Sequence, residues 1–425
     1  MKKARLFLNK KIILSSLFIV FATILLMSCN NPLNVNSGQS NSPGINGNSA
    51  GIAQQQVTLS MDNPAIKAIV PVQKKYTPEL MKKNGVVGTA IGLDNSGKPA
   101  ILVLTQTDIQ AQAKAKGEPL PIPAKLDNVA VRVYVTGKIT TLQPLKGNSN
   151  HGGGNSGHGP GGGSGTTVSH TAIQSPPIAL GTSGGWEFDN SNGYCCSGTL
   201  GSLVTDGTNQ YILSNFHVFY GDVASGGNNR VATGGDPVIQ PGLVDVNCDS
   251  TQAQKVASLV SGGGSLYNTT THTWTNANID AGIALVRSGM VKSDGSILEI
   301  GTISKNTVAA SINQPVKKSG RTTGLTTSSV IGINATLSVS YDDECAGSTV
   351  HTNNYTGQIL VDNKGSKFLD SGDSGSLMVE NTATNPRAVG LLFAGSKKVA
   401  VANPINEVLN YYSQKFGNTF TMVGQ

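Results

Sequence analysis

The sequence predicts a mainly β fold preceded by a small α/β region, and three observations support this prediction. The chain has 425 residues, a length that allows two to three domains. Only 13% of the residues are charged and 52 are glycine, which is typical of a turn-rich globular protein rather than a helical bundle. From residue 176 onward, short apolar segments alternate with Gly, Asn and Ser, as in an all-β sandwich or a pair of barrels.

The first 28 residues have the layout of a lipoprotein signal peptide. Basic residues precede an apolar run over residues 12–27, and the run is followed by Ser28 and Cys29. A small residue before cysteine is typical of cleavage at that point, after which the thiol and new amino group of Cys29 carry lipid, palmitate included. An uncleaved signal anchor is the alternative, although the run is short for a span of about 20 residues. Both interpretations predict the cell envelope, and the lipoprotein interpretation places the protein on the outer membrane or cell surface, facing the periplasm or the exterior.

Net charge argues against a nucleic-acid partner. The formal charge is +7, but five cations lie within the first eleven residues, so the chain without its signal peptide carries only +2. A charge this small creates no field strong enough to hold a polyanion. The predicted partners are therefore a protein or peptide substrate and, through the lipid anchor, the membrane.

Composition divides the rest of the chain into four parts. Residues 29–60 are rich in Asn, Ser, Gly and Gln and predict a flexible tether. Residues 61–145 predict a small α/β subdomain. Its expected elements are a helix that begins at Thr77 and Pro78, strands over 86–94 and 99–106, a helix over 107–116 and a strand over 129–135.

A linker and a second domain follow. Residues 146–175 are rich in Gly, Ser and Asn, and the histidines within them, His151 and His158, are expected to be solvated. Residues 176–425 carry the β texture and end in a predicted helix over 406–416, where Val408, Leu409 and Tyr412 form an apolar face. The linker is also where a pro-region over 61–145 would be cut off, if maturation removes it.

Four cysteines remain after Cys29, namely Cys195, Cys196, Cys248 and Cys345. An even number in an exported chain predicts two disulfides, for which three pairings exist. Adjacent cysteines rarely bond to each other, so we expect each member of the adjacent pair to bond to one of the other two. A zinc site is the alternative, but no Cys-x-x-Cys pair or nearby histidine favours it, and no metal or cofactor is predicted.

His217 is the histidine whose setting indicates catalysis. Of the six histidines, it alone ends an apolar strand, whereas the others lie in the linker region or in polar loops. A buried histidine with satisfied hydrogen bonds is the structural alternative. Serine-dependent acyl transfer requires such a base, together with a hydroxyl, an orienting carboxylate and donors for the oxyanion.

Ser374 and Asp280 could complete this set. Ser374 lies in the Gly-flanked turn Gly372–Gly375, directly before an apolar strand, and such a turn can aim consecutive amides at one point. The amides of Gly372 and Ser374 are the expected oxyanion donors. Asp280 precedes the apolar strand 281–286, where carboxylates seldom lie unpaired. A tight turn and a strand-edge cap are the structural alternatives for these two residues.

Together, the three segments resemble the active-site motifs of chymotrypsin-like serine proteases. They are LSNFHV, NIDAGIALV and SGDSGSLMV, in the order His, Asp, Ser. GDPVIQPG, KKSGRTTGLT and VGLLFAGSKKVAVANPINEVL are similar to a bacterial and plant branch of that clan, in which a small α/β region precedes the protease domain. The resemblance covers residues 176–425 well and 61–145 loosely. Two departures are Asn215-Phe216 in place of small alanines and Ser376 in place of glycine.

The resemblance implies a chymotrypsin-like double β-barrel and a serine endopeptidase. His217 would be the general base, Asp280 its orienting partner and Ser374 the nucleophile, with Asp373 shaping the loop. The implied substrate pocket has its base at Phe368 and Leu369 and a wall at Phe393, Ala394 and Gly395. No acid lies at this base, so we expect a cut after an apolar or small residue. A catalytically idle protease-fold module for envelope binding or adhesion is the alternative function.

Overall fold

The computed structural model describes residues 58–141, 145–147, 168–191, 194–221, 231–268, 273–275, 277–341 and 351–425. Residues 56–425 belong to one compact unit. The predicted signal peptide, Cys29, nearly all of the predicted tether, the linker histidines and Cys345 lie outside the described residues. None of the helices that the structure describes is long and apolar enough to cross a membrane.

The N-terminal region combines two helices with short strands. Its elements are β1 (Leu59–Ser60), α1 (Pro64–Leu80), β2 (Val86–Leu93), β3 (Pro99–Thr105), α2 (Ile109–Lys116), β4 (Lys125–Leu126), β5 (Val129–Val135), β6 (Thr140–Thr141) and β7 (Leu145–Gly147). Strand β3 pairs antiparallel with β2 and parallel with β5. The strand–strand–helix–strand order agrees with the sequence pattern.

The first helix begins earlier than the sequence pattern predicts. Its N-cap is Asn63, whose side chain accepts a hydrogen bond from the Ala65 amide at 2.9 Å, and Pro64 occupies the first turn. Thr77 lies near the C-terminal end instead, where its hydroxyl donates to the Gln73 carbonyl at 2.7 Å. The prediction of a start at Thr77 was wrong because a capping residue followed by proline occurs twice, and the first occurrence forms the cap.

The first barrel is built from the chain between residues 182 and 286. Its elements and their short neighbours are β8 (Thr182–Trp186), β9 (Asn190–Ser191), β10 (Tyr194–Cys196), β11 (Gly198–Leu200), β12 (Ser202–Thr205), β13 (Gln210–Ser214), α3 (Phe216–Phe219), β14 (Pro237–Gln240), β15 (Gln254–Gly264), β16 (Tyr267–Asn268), β17 (Thr273–Trp274) and β18 (Gly282–Val286). The pairing order is β11-β8-β14-β15-β18-β13-β12. Only Gly201 separates β11 from β12, so two strands far apart in this order are consecutive in the chain and the sheet curls into a barrel.

The second barrel follows with a closed ring of its own. Its elements and neighbours are β19 (Ser311–Ile312), β20 (Pro315–Gly320), β21 (Gly324–Tyr341), β22 (His351–Asp362), β23 (Leu377–Glu380), β24 (Ala388–Gly395), β25 (Val399–Pro404), α4 (Ile405–Phe416) and β26 (Thr421–Met422). The order β20-β23-β24-β25-β22-β21 closes through the pairing of β20 with β21. The apolar face over 406–416 predicts a terminal helix, and α4 forms there. Gly417, at φ +75°, ends it.

The long strand β21 links the second barrel to the N-terminal region. Beyond the ring it pairs antiparallel with β2, so that β2, β3, β5 and β4 continue the same sheet. Apolar side chains from both parts share one core, among them Ile91 and Ile101 from the N-terminal strands and Val330 and Ile359 from the barrel. The prediction of a mainly β double barrel preceded by a small α/β region is confirmed.

A disulfide joins two segments of the first barrel. Cys195 bonds to Cys248, one of the pairings that the sequence allows. Cys196 is also disulfide-bonded, and its partner lies outside the described residues. The Cys195–Cys248 bond joins β10 to the turn after the 3-10 helix Leu243–Val246, beside the buried side chains of Ile239 and Leu243.

Candidate active site

His217 and Asp280 are brought together by two neighbouring strands of the first barrel. Strand β13 ends at Ser214 and leads into α3, which carries His217, while Asp280 directly precedes β18. These strands pair antiparallel, with Ser214 opposite Gly282. The end of one strand and the start of the next therefore meet at the same edge of the sheet, which places the two side chains side by side.

The imidazole and carboxylate form a buried pair. Nδ1 of His217 lies 2.7 Å from Oδ2 of Asp280, and the His217 amide donates to Oδ1 of the same carboxylate at 3.2 Å. His217 is 4% exposed and Asp280 is fully buried. Two contacts to one carboxylate fix both the position and the ring orientation of the histidine, which turns its other nitrogen away from Asp280.

Tyr341 provides a further hydrogen bond to Asp280. Its hydroxyl donates to Oδ2 at 2.7 Å and also contacts the hydroxyl of Tyr355. Burial is the main reason why the pKa of Tyr341 lies well above its ordinary value, and the nearby Asp280 carboxylate adds to the effect. Tyr341 therefore stays protonated over the whole physiological range and acts only as a donor to the carboxylate.

Two asparagines hold the main chain of Asp280. Asn215 donates from Nδ2 to the Asp280 carbonyl at 2.8 Å. Asn403, on β25 of the second barrel, accepts from the Asp280 amide and donates to its carbonyl, both at 3.2 Å. Both side chains are fully buried. Asn215 stands where the family motif has a small alanine, and in this structure it positions Asp280.

Ser374 lies in a turn of the second barrel that is framed by two glycines in the left-handed region. Gly372 has φ +99° and Gly375 has φ +94°, which other residues adopt only with strain. The Ser374 hydroxyl lies 3.3 Å from the Phe393 carbonyl and the residue is fully buried. Within the described residues, the Gly372 and Ser374 amides donate to no backbone acceptor, so both can serve an oxyanion.

The turn packs closely on the strands that carry His217. The Thr199 amide donates to the Ser374 carbonyl at 2.9 Å. A Cβ added at Gly375 would lie 2.2 Å from Oγ of Ser214, three positions before His217. Only glycine permits this approach of the two barrels. A backbone hydrogen bond and this close approach therefore join the Ser374 turn to the first barrel, next to the strand that leads to His217.

A buried ion pair between Asp373 and Lys318 holds the turn that carries Ser374. Asp373 lies 3.1 Å from Nζ of Lys318, and both side chains are fully buried. Its carboxylate also accepts from the amides of Thr322 and Asp370, at 2.9 and 3.0 Å. Burial alone raises the pKa of Asp373, but Lys318 and these hydrogen bonds outweigh burial and hold the pKa below its ordinary value. Asp373 is therefore a charged anchor for the loop, as expected from the sequence, and Lys318 is its counterion.

The predicted pocket residues are divided between the core and a cavity. Phe368 packs in the core that the second barrel shares with the N-terminal strands. Phe393 and Ala394 pack in the other large core, and all three residues are fully buried. A cavity of about 530 Å³ lies beside them and is lined by Leu369 and Gly395. Further lining comes from the N-terminal region and from charged residues, including Thr136, Lys138, Asp370, Lys397 and Lys398.

The sequence did not indicate the residues that contact Asp280 and Asp373 from other strands. Tyr341, Tyr355 and Asn403 lie on strands of the second barrel, and Lys318 lies on β20. None of them stands in a motif with a chemical signature, since tyrosines, asparagines and lysines are common in polar strands. A lysine within the apolar-flanked strand β20 was the one local signal, because buried lysines require a partner. No group of three His, Cys, Asp or Glu side chains among the described residues could hold a metal ion.

Comparisons with known proteins give matches at the level of domains and folds. A family model described as the Nal1 C-terminal domain matches residues 279–403, a span that includes Asp280 and Ser374. No curated protein sequence matches the chain significantly. The chain is similar in structure to a glutamic acid-specific serine protease described as using a histidine triad in substrate binding, with a TM-score of 0.36 and 16% identity over 58% of this chain and 100% of that one.

Two further structures give similar values. Protease A of Thermobifida fusca matches with a TM-score of 0.35 and 17% identity, over 58% of this chain and 99% of its own. Cellulomonas bogoriensis chymotrypsin matches with a TM-score of 0.32 and 16% identity, over the same shares. All three proteins are named as proteases.

Proposed function

We propose that this protein is a serine endopeptidase in which His217, Asp280 and Ser374 form the catalytic triad. The observation that carries the proposal is the buried His217–Asp280 pair at 2.7 Å, at the junction with the Gly-framed turn of Ser374. A histidine whose Nδ1 is held by a carboxylate presents its Nε2 as a base. A buried serine in a turn with two available amides is the setting that acyl transfer requires.

In the proposed mechanism, the Ser374 hydroxyl attacks the peptide carbonyl while His217 takes its proton. The Gly372 and Ser374 amides stabilise the oxyanion that forms on the carbonyl oxygen. His217 then gives the proton to the leaving amine, and an acyl group remains on Ser374. A water molecule, activated by the same histidine, releases the acyl group and restores the serine. Asp280 stays ionised throughout and stabilises the imidazolium.

The proposed location is the cell envelope. Support comes from the basic and apolar leader that ends in Ser28-Cys29, which is typical of lipid attachment at Cys29. The polar residues 29–60 would act as a tether between the membrane and the protease. Metabolic labelling with palmitate in the wild type, and its loss in Cys29→Ala, is the expected result.

Cleavage of a peptide library by the purified protein tests the proposed activity. We expect cuts within peptides rather than at their ends, after an apolar or small residue. The lysines beside the Leu369 cavity would instead favour an acidic residue before the cut, and the library distinguishes the two. An intact library after incubation with folded protein, whose serine still reacts with a fluorophosphonate label, would contradict endopeptidase function and favour an idle binding module.

Tyr341→Phe is expected to lower kcat about tenfold with little change in KM. The loss of a hydrogen bond to a charged carboxylate costs roughly 1.5–3 kcal/mol, and part of this loss falls on the imidazolium that Asp280 stabilises. Tyr412→Phe is the control, because Tyr412 is also buried but its hydroxyl donates to the Gly263 carbonyl rather than to Asp280. Steady-state kinetics of both variants check this prediction. An equal fall in kcat in both would assign Tyr341 a structural role only.

A further inference from the structure

One edge of β24 near Ser374 is not covered by the neighbouring strands of the barrel ring. Strand β25 pairs with β24 along one edge as far as Gly395. Strand β23 pairs along the other edge, but its pairs end at Leu391. Beyond that point the second edge runs past the Ser374 hydroxyl, which lies 3.3 Å from the Phe393 carbonyl. An extended peptide whose carbonyl reaches Ser374 would pair with this edge, as strands added to sheet edges do.

The chain itself fills this edge. Strand β6 pairs antiparallel with β24, with Thr141 opposite Ala394 and Thr140 opposite Gly395. On its other side β6 pairs with β21, with Thr140 beside Ser340, and the Ile139 carbonyl accepts from the Ser340 amide at 3.0 Å. Ile139 is 1% exposed. Residues 139–141 are therefore seated between two strands as part of the folded barrel, and they run towards Phe393 and Ser374.

A second short strand, β7, follows β6 in the chain and pairs with the first barrel. Strand β7 pairs antiparallel with β10, with Leu145 opposite Cys196 and Gly147 opposite Tyr194. Strand β10 lies just before Thr199, whose amide donates to the Ser374 carbonyl. Residues 139–141 are thus bound to the second barrel and residues 145–147 to the first, each as a short strand in the extended form that a peptide substrate would take.

We propose that β6 is a built-in inhibitor strand, which occupies the place of a peptide substrate on β24. This inference rests on the proposed protease function. The strand is part of the same chain, so its local concentration is high and a substrate must displace it before pairing. The N-terminal region thereby has a function of its own: it keeps the protease inactive towards extended peptides until β6 is displaced.

The inhibitor strand belongs to a region that stays attached. Strand β2 pairs with β21 of the barrel, and Ile91, Ile101 and Val330 share one core. Close to β6, the Ser396 hydroxyl donates to the Thr136 carbonyl at 2.6 Å. Departure of the region would expose this core and a long edge of β21. Activation therefore requires local release of β6, and cleavage in the 148–167 stretch would leave two fragments that remain together.

The double variant Thr140→Pro/Thr141→Pro tests the proposal in the full-length protein. Proline removes the backbone donors of β6 and so weakens its pairing with β24. We expect KM for an extended peptide to fall about fivefold with kcat unchanged, since only one of two adjacent amides points to β24 and one lost backbone hydrogen bond changes a competing equilibrium by about fivefold. Thr140→Ser/Thr141→Ser is the matched control, because it keeps both amides and should behave as the wild type.

A small ester, p-nitrophenyl acetate, separates this proposal from the protease function. It needs the triad and the oxyanion amides but no strand pairing, so its hydrolysis should be the same in all three proteins and also reports correct folding. Equal ester hydrolysis with an unchanged KM for the peptide would overturn the inhibitor strand and leave the protease intact. Absence of ester hydrolysis from all three folded proteins would instead overturn the protease function.

Discussion

Ser374→Ala is expected to lower kcat for peptide hydrolysis by about 10⁶-fold, as removal of the nucleophile does in serine proteases. In the proposed mechanism, the hydroxyl is the group that bonds to the substrate carbonyl, and alanine has no group to replace it. Its setting is otherwise preserved, because the turn is held by the Thr199 amide and by Gly375 rather than by the Ser374 side chain. Substrate binding should therefore change little, and the loss should appear in kcat.

A fluorophosphonate label provides the measurement that is independent of substrate choice. The wild type should be labelled at Ser374, and the alanine variant should not be labelled at all. Ser371→Ala is the control for a neighbouring serine of the same loop and should be labelled like the wild type. Labelling of the Ser374→Ala variant at another residue would show that the nucleophile has been assigned wrongly.

The double variant His217→Ala/Ser374→Ala makes the triad assignment stricter. Residues that act as one unit are not additive, so the double variant should be no slower than either single variant. Two side chains that contributed separately would instead multiply their effects. Kinetics of the three variants on one substrate decide between these cases, with circular dichroism to verify that each is folded.

The sequence predicts His217, Asp280 and Ser374 as a triad because each of them lies in a recognisable local pattern. His217, Asp280 and Ser374 each lie at a strand end or in a Gly-flanked turn, and a strand end is recognisable from a few neighbouring residues. The same holds for the double barrel, whose strands are bounded by Gly and Asn turns. The start of α1 could not be predicted in this way, because two competing cap sites have equal local signals and only packing selects Asn63.

The surroundings of the triad depend on contacts between distant parts of the chain. Tyr341 contacts Asp280 from the last position of β21, and no local pattern indicates a contact between residues 61 positions apart. The pairing of β6 with β24 joins residues far apart in sequence through a strand of two residues. Neither contact has a composition signature, so both had to come from the folded structure.

The largest effect on stability is expected for Lys318→Met, a loss of about 3–5 kcal/mol in the free energy of unfolding. Lys318 is fully buried, lies 3.1 Å from Asp373 and donates to the Gly324 carbonyl at 3.1 Å. Methionine has a similar volume, so packing changes little, but the Asp373 carboxylate loses its counterion in a buried site. Urea denaturation at neutral pH measures the loss.

Arg387→Met is the control for an ion pair of the same barrel whose cation is exposed to solvent. Arg387 lies 2.7 Å from Glu380, and its side chain is 47% exposed. Water already solvates this cation, so its removal should cost less than about 1 kcal/mol. A loss of similar size in both variants would mean that burial does not determine the contribution of Lys318.

The dependence of the free energy of unfolding on pH gives a second test of the Lys318–Asp373 pair. The pKa of Asp373 lies below its ordinary value in the folded state, because Lys318 and the amides that bond to it outweigh the effect of burial. Such a group stabilises the folded protein above the pKa of the unfolded state, and this stabilisation is lost as the pH falls through the folded pKa. Without Lys318 the difference between the two pKa values shrinks. The free energy of unfolding of Lys318→Met should therefore fall less steeply below about pH 4 than that of the wild type. Because Asp373 lies next to Ser374, the two curves also report the charge that holds the catalytic turn in place.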